Sequence, residues 1–199
     1  MKKRILIIIG LALLGVAYAG PFGFEMGWSY EECVNAGFWV GDYNYYGGFA
    51  WDCHPPESSP EFDYYEICID DKYGVYEIIA ETESRVIFKP GYKFWKDYER
   101  LQGMLQKKYG EIYEFNWETQ QNSEPTLPYG WVESFLNKEF FLYSTWSNLN
   151  DFKLSSISLE ALPEGSDSYK IELKYYSSDW DAVLKKHQQE RDEALYNAL

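Results

Sequence analysis

Short stretches of alternating apolar and polar residues, joined by tight turns, constrain the fold of this 199-residue chain more than any other feature. Residues 169–175 alternate Tyr, Ile, Leu and Tyr with Lys, Glu and Lys, and this period of two predicts a half-buried strand. Residues 65–70 alternate in the same way, and the turn sequence 71–74 and a second strand at 75–82 follow them. Further strands are predicted at 111–117, 140–147, 152–161 and 169–177. Consecutive strands with short connections favour antiparallel meanders.

Helical signals separate these strands. Ser29 and Glu32 form a capping box for a short helix that ends near Gly37. A longer helix is predicted between Pro90-Gly91 and Gly110, because its apolar residues recur at spacings of three and four. These positions are Phe94, Tyr98, Leu101 and Leu105, followed by Lys108 and Tyr109 at the end of the series.

Two more helices complete the prediction. A short helix is expected around 131–137, and a C-terminal amphipathic helix starts near Ser178. The apolar residues of that last helix are Trp180, Val183, Leu184, His187 and Leu195. We therefore predict an α+β fold, in which helices pack on one face of one or two antiparallel meander sheets.

The first 19 residues have the pattern of a secretory signal peptide. Three basic residues precede an apolar run, Ile5–Val16, and Ala17-Tyr18-Ala19 supplies a cleavage site after Ala19. The run is too short for a membrane span, and no later stretch approaches that length. The expected product is a periplasmic or secreted bacterial protein with no membrane span.

Net charge excludes one class of partner. The whole chain carries −14, and removal of residues 1–19 leaves 15 basic and 32 acidic residues, a net −17 over 180 residues. Binding to nucleic acid needs an excess of Lys and Arg to neutralise phosphates, so we expect no nucleic-acid partner.

A polar loop at 118–130 is the one tract long enough to divide the mature chain. We predict a single α+β domain over 20–199, with possible halves at 20–117 and 131–199. Each half would then be a helix followed by a meander.

Two short motifs carry a resemblance to known exported proteins. The pattern F-G-x-x-x-G-x-S-x-E-E at Phe22–Glu32 resembles the start of small exported bacterial modules whose short helix precedes an antiparallel meander. The BamE-type outer-membrane assembly lipoproteins and the β-lactamase-inhibitor-protein fold share that organisation. The pattern L-x-x-x-L-x-x-K-Y-G at Leu101–Gly110 is similar to a helix end of periplasmic proteins. The resemblance implies a protein-binding or envelope-associated role and brings no catalytic residues; the lipid-attachment Cys of the lipoproteins is missing here.

Three cysteines, Cys33, Cys53 and Cys68, allow one disulfide in an oxidising compartment and leave one thiol over. We favour a Cys33–Cys53 pair, since both residues are expected at the same helix–strand junction. No C-x-x-C or paired His spacing accompanies them, so we predict no metal site.

Catalytic chemistry finds little support in the sequence. A Cys53–His54 nucleophile is disfavoured because neighbours in a strand point to opposite faces. His187 has the character of an ordinary helix residue, and Asp70-Asp71 that of a turn. We expect a protein without a cofactor that is not an enzyme.

An aromatic segment is the strongest candidate for a binding site. Tyr43, Tyr45, Tyr46 and Trp51 lie among Asn and Gly residues, a composition typical of recognition surfaces. The alternative is that these rings simply pack within strands of the sheet.

The sequence thus favours an exported, non-catalytic module that binds a protein or glycan in the bacterial envelope. Carbohydrate binding through surface aromatics is the alternative. A hydrolase is a more distant one, which would require two carboxylates converging in a cleft, one with a raised pKa.

Overall fold

The computed structural model of the protein describes residues 20–44, 50–55, 57–89, 91–119, 130–147, 149 and 153–198. The expected signal peptide, 1–19, lies outside the described residues. The strands are β1 (Trp39–Asn44), β2 (Ala50–His54), β3 (Tyr64–Asp70), β4 (Gly74–Glu81), β5 (Arg85–Val86), β6 (Glu114–Thr119), β7 (Phe140–Ser147), β8 (Leu154–Glu164) and β9 (Ser168–Ser177). The helices are α1 (Tyr30–Asn35), α2 (Tyr92–Tyr109), α3 (Trp131–Leu136) and α4 (Trp180–Ala198). No helix in these ranges is both long and apolar enough to cross a membrane.

All strands belong to one antiparallel sheet. Eight of them follow the order β1-β2-β3-β4-β9-β8-β7-β6, and the two-residue β5 pairs with the start of β9. Two meanders meet at the centre, where β4 pairs with β9 from Glu77↔Tyr176 to Glu81↔Glu172. The predicted α+β class with antiparallel meanders and a C-terminal helix is confirmed.

The boundary between the two meanders lies earlier in the chain than the polar loop at 118–130. β6 pairs with β7, so it belongs to the second meander, whereas the halves 20–117 and 131–199 group it with the first. In the sheet the first meander runs over β1–β4 and the second over β6–β9. One helix, α1 or α2, precedes each meander.

Helices α1, α2 and α3 pack on one face of the sheet, which we call the covered face. The buried side of α2 consists of four of the predicted residues, Phe94, Tyr98, Leu101 and Leu105. At the last predicted position Lys108 is exposed and Tyr109 is half-buried against the core. The Tyr98 hydroxyl donates a hydrogen bond to the Leu159 carbonyl of β8 at 3.0 Å and lies 2.9 Å from Ser144 Oγ of β7. The apolar core of the protein therefore lies between these helices and the covered face.

Helix α4 departs from the predicted arrangement, because it packs on the opposite face of the sheet. Val183 contacts a small cluster with Cys68 and Tyr76, and the Trp180 ring centroid lies 4.9 Å from that of Tyr176. Tyr76 is the extra residue where the β3–β4 register shifts, since Cys68 pairs with Glu77 and Ile69 with Val75. The bulge turns this aromatic ring away from the main core and gives α4 a place to pack.

Only the first turns of α4 touch the sheet. Leu184 and Leu195, which the sequence analysis placed on an apolar face, are exposed, as are all residues from 188 to 197. The predicted amphipathic face is thus used at Val183 and Trp180 and not beyond His187.

Candidate functional site

The face of the sheet opposite the covered face, which we call the open face, brings acidic residues of five strands together. Asp52 of β2 pairs directly with Glu66 of β3. Glu172 of β9 pairs with Glu81 of β4 on one side and with Glu160 of β8 on the other. Glu66 and Glu81 are diagonal neighbours, because Glu66 pairs with Ile79. We call these five carboxylates the acidic row.

Direct pairing of like charges opposes sheet formation. Opposed residues in an antiparallel pair hold their Cβ atoms about 4.5–5.5 Å apart, where two carboxylates repel. Three such pairs follow one another across the sheet: Asp52–Glu66, Glu81–Glu172 and Glu160–Glu172. Strand pairing alone would select against this arrangement, which points to a role for it outside the fold.

Two lysines offset part of the charge. Lys170 Nζ lies 2.6 Å from Glu81 Oε1, and Lys174 Nζ lies 2.5 Å from Glu172 Oε1. The acidic row therefore counts five carboxylates against these two lysines.

Burial raises the pKa of two carboxyl groups in the acidic row, Glu172 and Glu66. Glu172 is 7% exposed, and its burial, with Glu81 nearby, raises its pKa to about 7 despite the ion pair with Lys174. Burial also raises the pKa of Glu66, as do the charges of Glu81 and Asp52. Burial and neighbouring negative charges thus disfavour the ionised form of these carboxyl groups. A positive charge placed beside them would stabilise that ionised form.

A cleft of about 1070 Å³ continues the open face at the edge of β2 and β3. Its wall includes Asp52, Glu66 and Glu81 of the acidic row, together with Asp63 and Tyr64. The Tyr64 ring is 56% exposed. The cleft thus combines carboxylates with an accessible aromatic surface.

The loop between β2 and β3 is tied down where it borders the cleft. Ser59 N–H donates to the Tyr65 hydroxyl at 2.8 Å, and that hydroxyl donates to the Ser59 carbonyl at 3.0 Å. Glu83 N–H donates to Asp63 Oδ2 at 2.7 Å. These bonds fix the rim of the cleft against the sheet.

The predicted aromatic site is described in part. Trp51 is half-buried and packs on the covered face, with its ring centroid 5.2 Å from that of Tyr30. The Tyr43 backbone pairs with Trp51 in the β1–β2 register. Tyr45 and Tyr46 lie outside the described residues, and the binding role of the segment stays a prediction.

Cys33, Cys53 and Cys68 are buried free thiols in the structure. Cys33 of α1 and Cys53 of β2 share the main core, and Phe38 N–H donates to the Cys33 carbonyl just before β1, which pairs with the strand of Cys53. Burial raises the pKa of Cys33 to about 11 and also raises that of Cys53. The structure does not form the expected Cys33–Cys53 disulfide, and the pairing stays a prediction for oxidised protein.

Asp70 has a turn role and a second role that sequence reasoning missed. Its Oδ1 accepts the N–H groups of Lys72 and Tyr73, as a turn residue does. Its buried Oδ2 lies 2.7 Å from Lys186 Nζ and 3.0 Å from His187 Nε2, both on α4. Burial raises the pKa of Asp70, but the hydrogen bonds from Lys186, Lys72, His187 and Tyr73 outweigh it and lower the pKa to about 2. No local signal marks this contact, since 117 residues separate Asp70 from His187.

In the part of the chain that the structure describes, no three His, Cys, Asp or Glu side chains are grouped so that they could hold a metal ion. No protein-family model, curated protein or solved structure matches the chain.

Proposed function

We propose that this chain is an exported, non-catalytic module of the bacterial periplasm or envelope that binds a basic protein surface through its acidic row. The observation that carries the proposal is the series of directly opposed carboxylates on the open face. The resemblance of residues 22–32 to exported binding modules supports the same class of function.

A basic partner fits the open face for an electrostatic reason. Lysine or arginine side chains placed between opposed carboxylates would replace repulsion with attraction in a partly desolvated setting. Complementary charge at an interface also speeds association and selects among partners. An acidic partner would meet charges of its own sign along most of this surface and would be repelled.

The proposal is tested by calorimetric titration with an octalysine peptide at physiological ionic strength. We compare the unchanged protein with a Glu66→Gln/Glu160→Gln variant, which removes two charges of the acidic row and leaves both lysine pairs in place. The matched control, Glu139→Gln/Glu193→Gln, removes the same net charge from exposed positions elsewhere.

We expect the first variant to weaken peptide binding by about tenfold or more, and the control by less than about twofold. Equal losses in the two variants would reduce the effect to overall charge and overturn the proposal. Absence of binding by the unchanged protein would do the same.

Proton release provides a second readout. Because the pKa of Glu172 is about 7, a bound cation that lowers it makes the protein give up protons near neutral pH. Titrations in buffers of different ionisation enthalpy should detect that release at pH 7. A Glu172→Gln variant should lack it.

Carbohydrate binding in the cleft is the second candidate, favoured by the exposed Tyr64 ring beside carboxylates that accept hydroxyl hydrogen bonds. Fluorescence titration with soluble cell-wall glycan fragments tests it. Tyr64→Ala should abolish the change in fluorescence. Tyr113→Ala, which removes an exposed ring outside the cleft lining, should leave that change in place.

Release of shorter fragments during the titration would instead favour the hydrolase alternative, with Glu66 as a carboxyl of raised pKa in a cleft.

A further inference from the structure

Residues 85–96 reverse the charge of the rest of the chain. The sequence RVIFKPGYKFWK contains four cations and no acidic residue, in a protein with 18 Lys and Arg against 32 Asp and Glu. The same twelve residues contain six large apolar or aromatic side chains. A cationic, aromatic segment in an acidic protein needs its own explanation.

The fold turns some of these apolar side chains outward. Ile87 is buried in the main core, and its N–H donates to the Asp167 carbonyl at 2.7 Å. Its neighbours Val86 and Phe88 are 52% and 70% exposed. Tyr92, the first residue of α2, is 63% exposed. Three large apolar residues within seven positions therefore face solvent.

Gly91, which lies between Phe88 and Tyr92, packs closely against the core. Gly91 N–H donates to the Phe88 carbonyl at 2.8 Å, and Gly91 adopts a φ of +87°. Its Cα lies so close to α3 that a Cβ there would be 2.5 Å from the Trp131 ring and 2.6 Å from Val132. Phe88 and Tyr92 thus lie on either side of a glycine that packs closely against α3.

Three exposed lysines lie in the same stretch of chain as the exposed apolar residues. Lys93 and Lys96 are exposed on the first turns of α2, and Lys89 pairs with Glu133 but keeps 64% of its side chain exposed. We call these six residues the cationic patch: Val86, Phe88, Lys89, Tyr92, Lys93 and Lys96.

We propose that the cationic patch binds the surface of an anionic lipid bilayer. Phe88 and Tyr92 would enter the headgroup region, where aromatic rings are favoured, and the lysines would contact lipid phosphates. Anionic lipid is complementary both to the charge and to the exposed apolar area. A soluble polyanion would pair with the lysines but leave Val86 and Phe88 in water. This binding is separate from that of the acidic row on the open face.

Vesicle flotation tests the inference with the full chain and two compositions, phosphatidylcholine alone and phosphatidylcholine with about a third phosphatidylglycerol. The variants are Phe88→Ser/Tyr92→Ser and Lys93→Gln/Lys96→Gln. The matched control, Leu195→Ser/Tyr196→Ser, removes exposed apolar groups of similar size from α4. Every variant carries the same N-terminus, so differences between them report on the substituted residues, and thermal unfolding checks that each one is folded.

We expect binding to the anionic vesicles and at least about tenfold less to the neutral ones. Each lysine near an anionic surface contributes roughly fivefold, so Lys93→Gln/Lys96→Gln should reduce anionic-vesicle binding by roughly 25-fold. Phe88→Ser/Tyr92→Ser should reduce it by at least about tenfold, and the α4 control should leave it unchanged.

Three results would overturn the inference. They are equal binding of the patch variants and the unchanged protein, a loss as large in the α4 control, and retention on heparin without binding to anionic vesicles. The last result would assign the cationic patch to a soluble polyanion.

Discussion

The two faces of the sheet differ in what they carry: the covered face buries apolar side chains, and the open face places carboxylates opposite one another. Strand β9 contributes to both faces. Tyr169, Ile171, Leu173 and Tyr175 point to the covered face and are buried in the main core. The residues between them point to the open face, where Glu172 meets a carboxylate on each side. Burial on the covered face supplies stability, and that stability allows the open face to keep an unfavourable charge pattern.

The largest expected effect comes from a cavity in the covered face. Leu173→Ala should lower the free energy of unfolding by about 2–5 kcal/mol, because Leu173 is buried in the main core. Urea unfolding measures the change. A loss below about 1 kcal/mol would contradict the claim that this face carries the stability.

Glu172→Gln, a substitution at the neighbouring residue, should instead raise the free energy of unfolding. A pKa raised from 4.5 to about 7 means that the folded protein gains stability from the protonated carboxyl below pH 4.5 and loses it as pH rises to 7. The variant should therefore be more stable than the unchanged protein at pH 8, by up to about 3 kcal/mol, and similar to it at pH 4.

Unfolding at both pH values checks this prediction, with exposed Glu139→Gln as the control. Loss of a partner for Lys174 makes the stated gain an upper limit. A variant less stable at both pH values would show that Glu172 supports the sheet and would remove the contrast between the two faces.

Removing the contact between α4 and the sheet should give the smallest of the three changes in the free energy of unfolding. The pKa of Asp70, lowered from 3.8 to about 2, gives stability that is present above pH 3.8 and is lost as pH falls through 2. Asp70→Asn should lower the free energy of unfolding by about 2 kcal/mol at pH 7. Exposed Asp71→Asn should change it by less than about 0.5 kcal/mol.

The difference between Asp70→Asn and the unchanged protein should shrink as pH falls toward 2. If it stays constant, the contacts of Asp70 with Lys186 and His187 do not hold the helix. The open face would then hold α4 through the packing of Trp180, Val183 and the His187 ring.

Local patterns in the sequence were sufficient for much of the fold. Alternation at 169–175 and the capping box at Ser29 and Glu32 specify a strand and a helix start through neighbours within a few positions. The capping box is present in the structure, with Glu32 N–H donating to Ser29 Oγ at 3.3 Å. Such signals need no knowledge of distant contacts.

Local sequence patterns could not predict on which side of the sheet α4 packs. Leu184 and Leu195 have the spacing of an apolar face, yet a bulge at Tyr76 decides where the helix packs. Helix periodicity identifies an apolar side but does not identify the surface that buries it.

The acidic row depends on register between strands that are far apart in the chain. Glu66, Glu81, Glu160 and Glu172 are ordinary solvent-facing residues when each strand is considered alone. They become a site only because β4 pairs with β9 in one register and β9 with β8 in another. A shift of one residue would send each carboxylate to the core.

The central pairing of β4 with β9 also sets the order in which the protein can fold. Glu81 and Glu172 pair across 91 positions, so the first meander leaves the ribosome long before its partner strand exists. Until then the edge of β4, with Ile78 and Ala80, has no neighbour, and such edges invite pairing with other chains. Folding should be slow, as in other proteins dominated by distant contacts. Two fragments cut between the meanders should each aggregate when alone and reassociate when mixed.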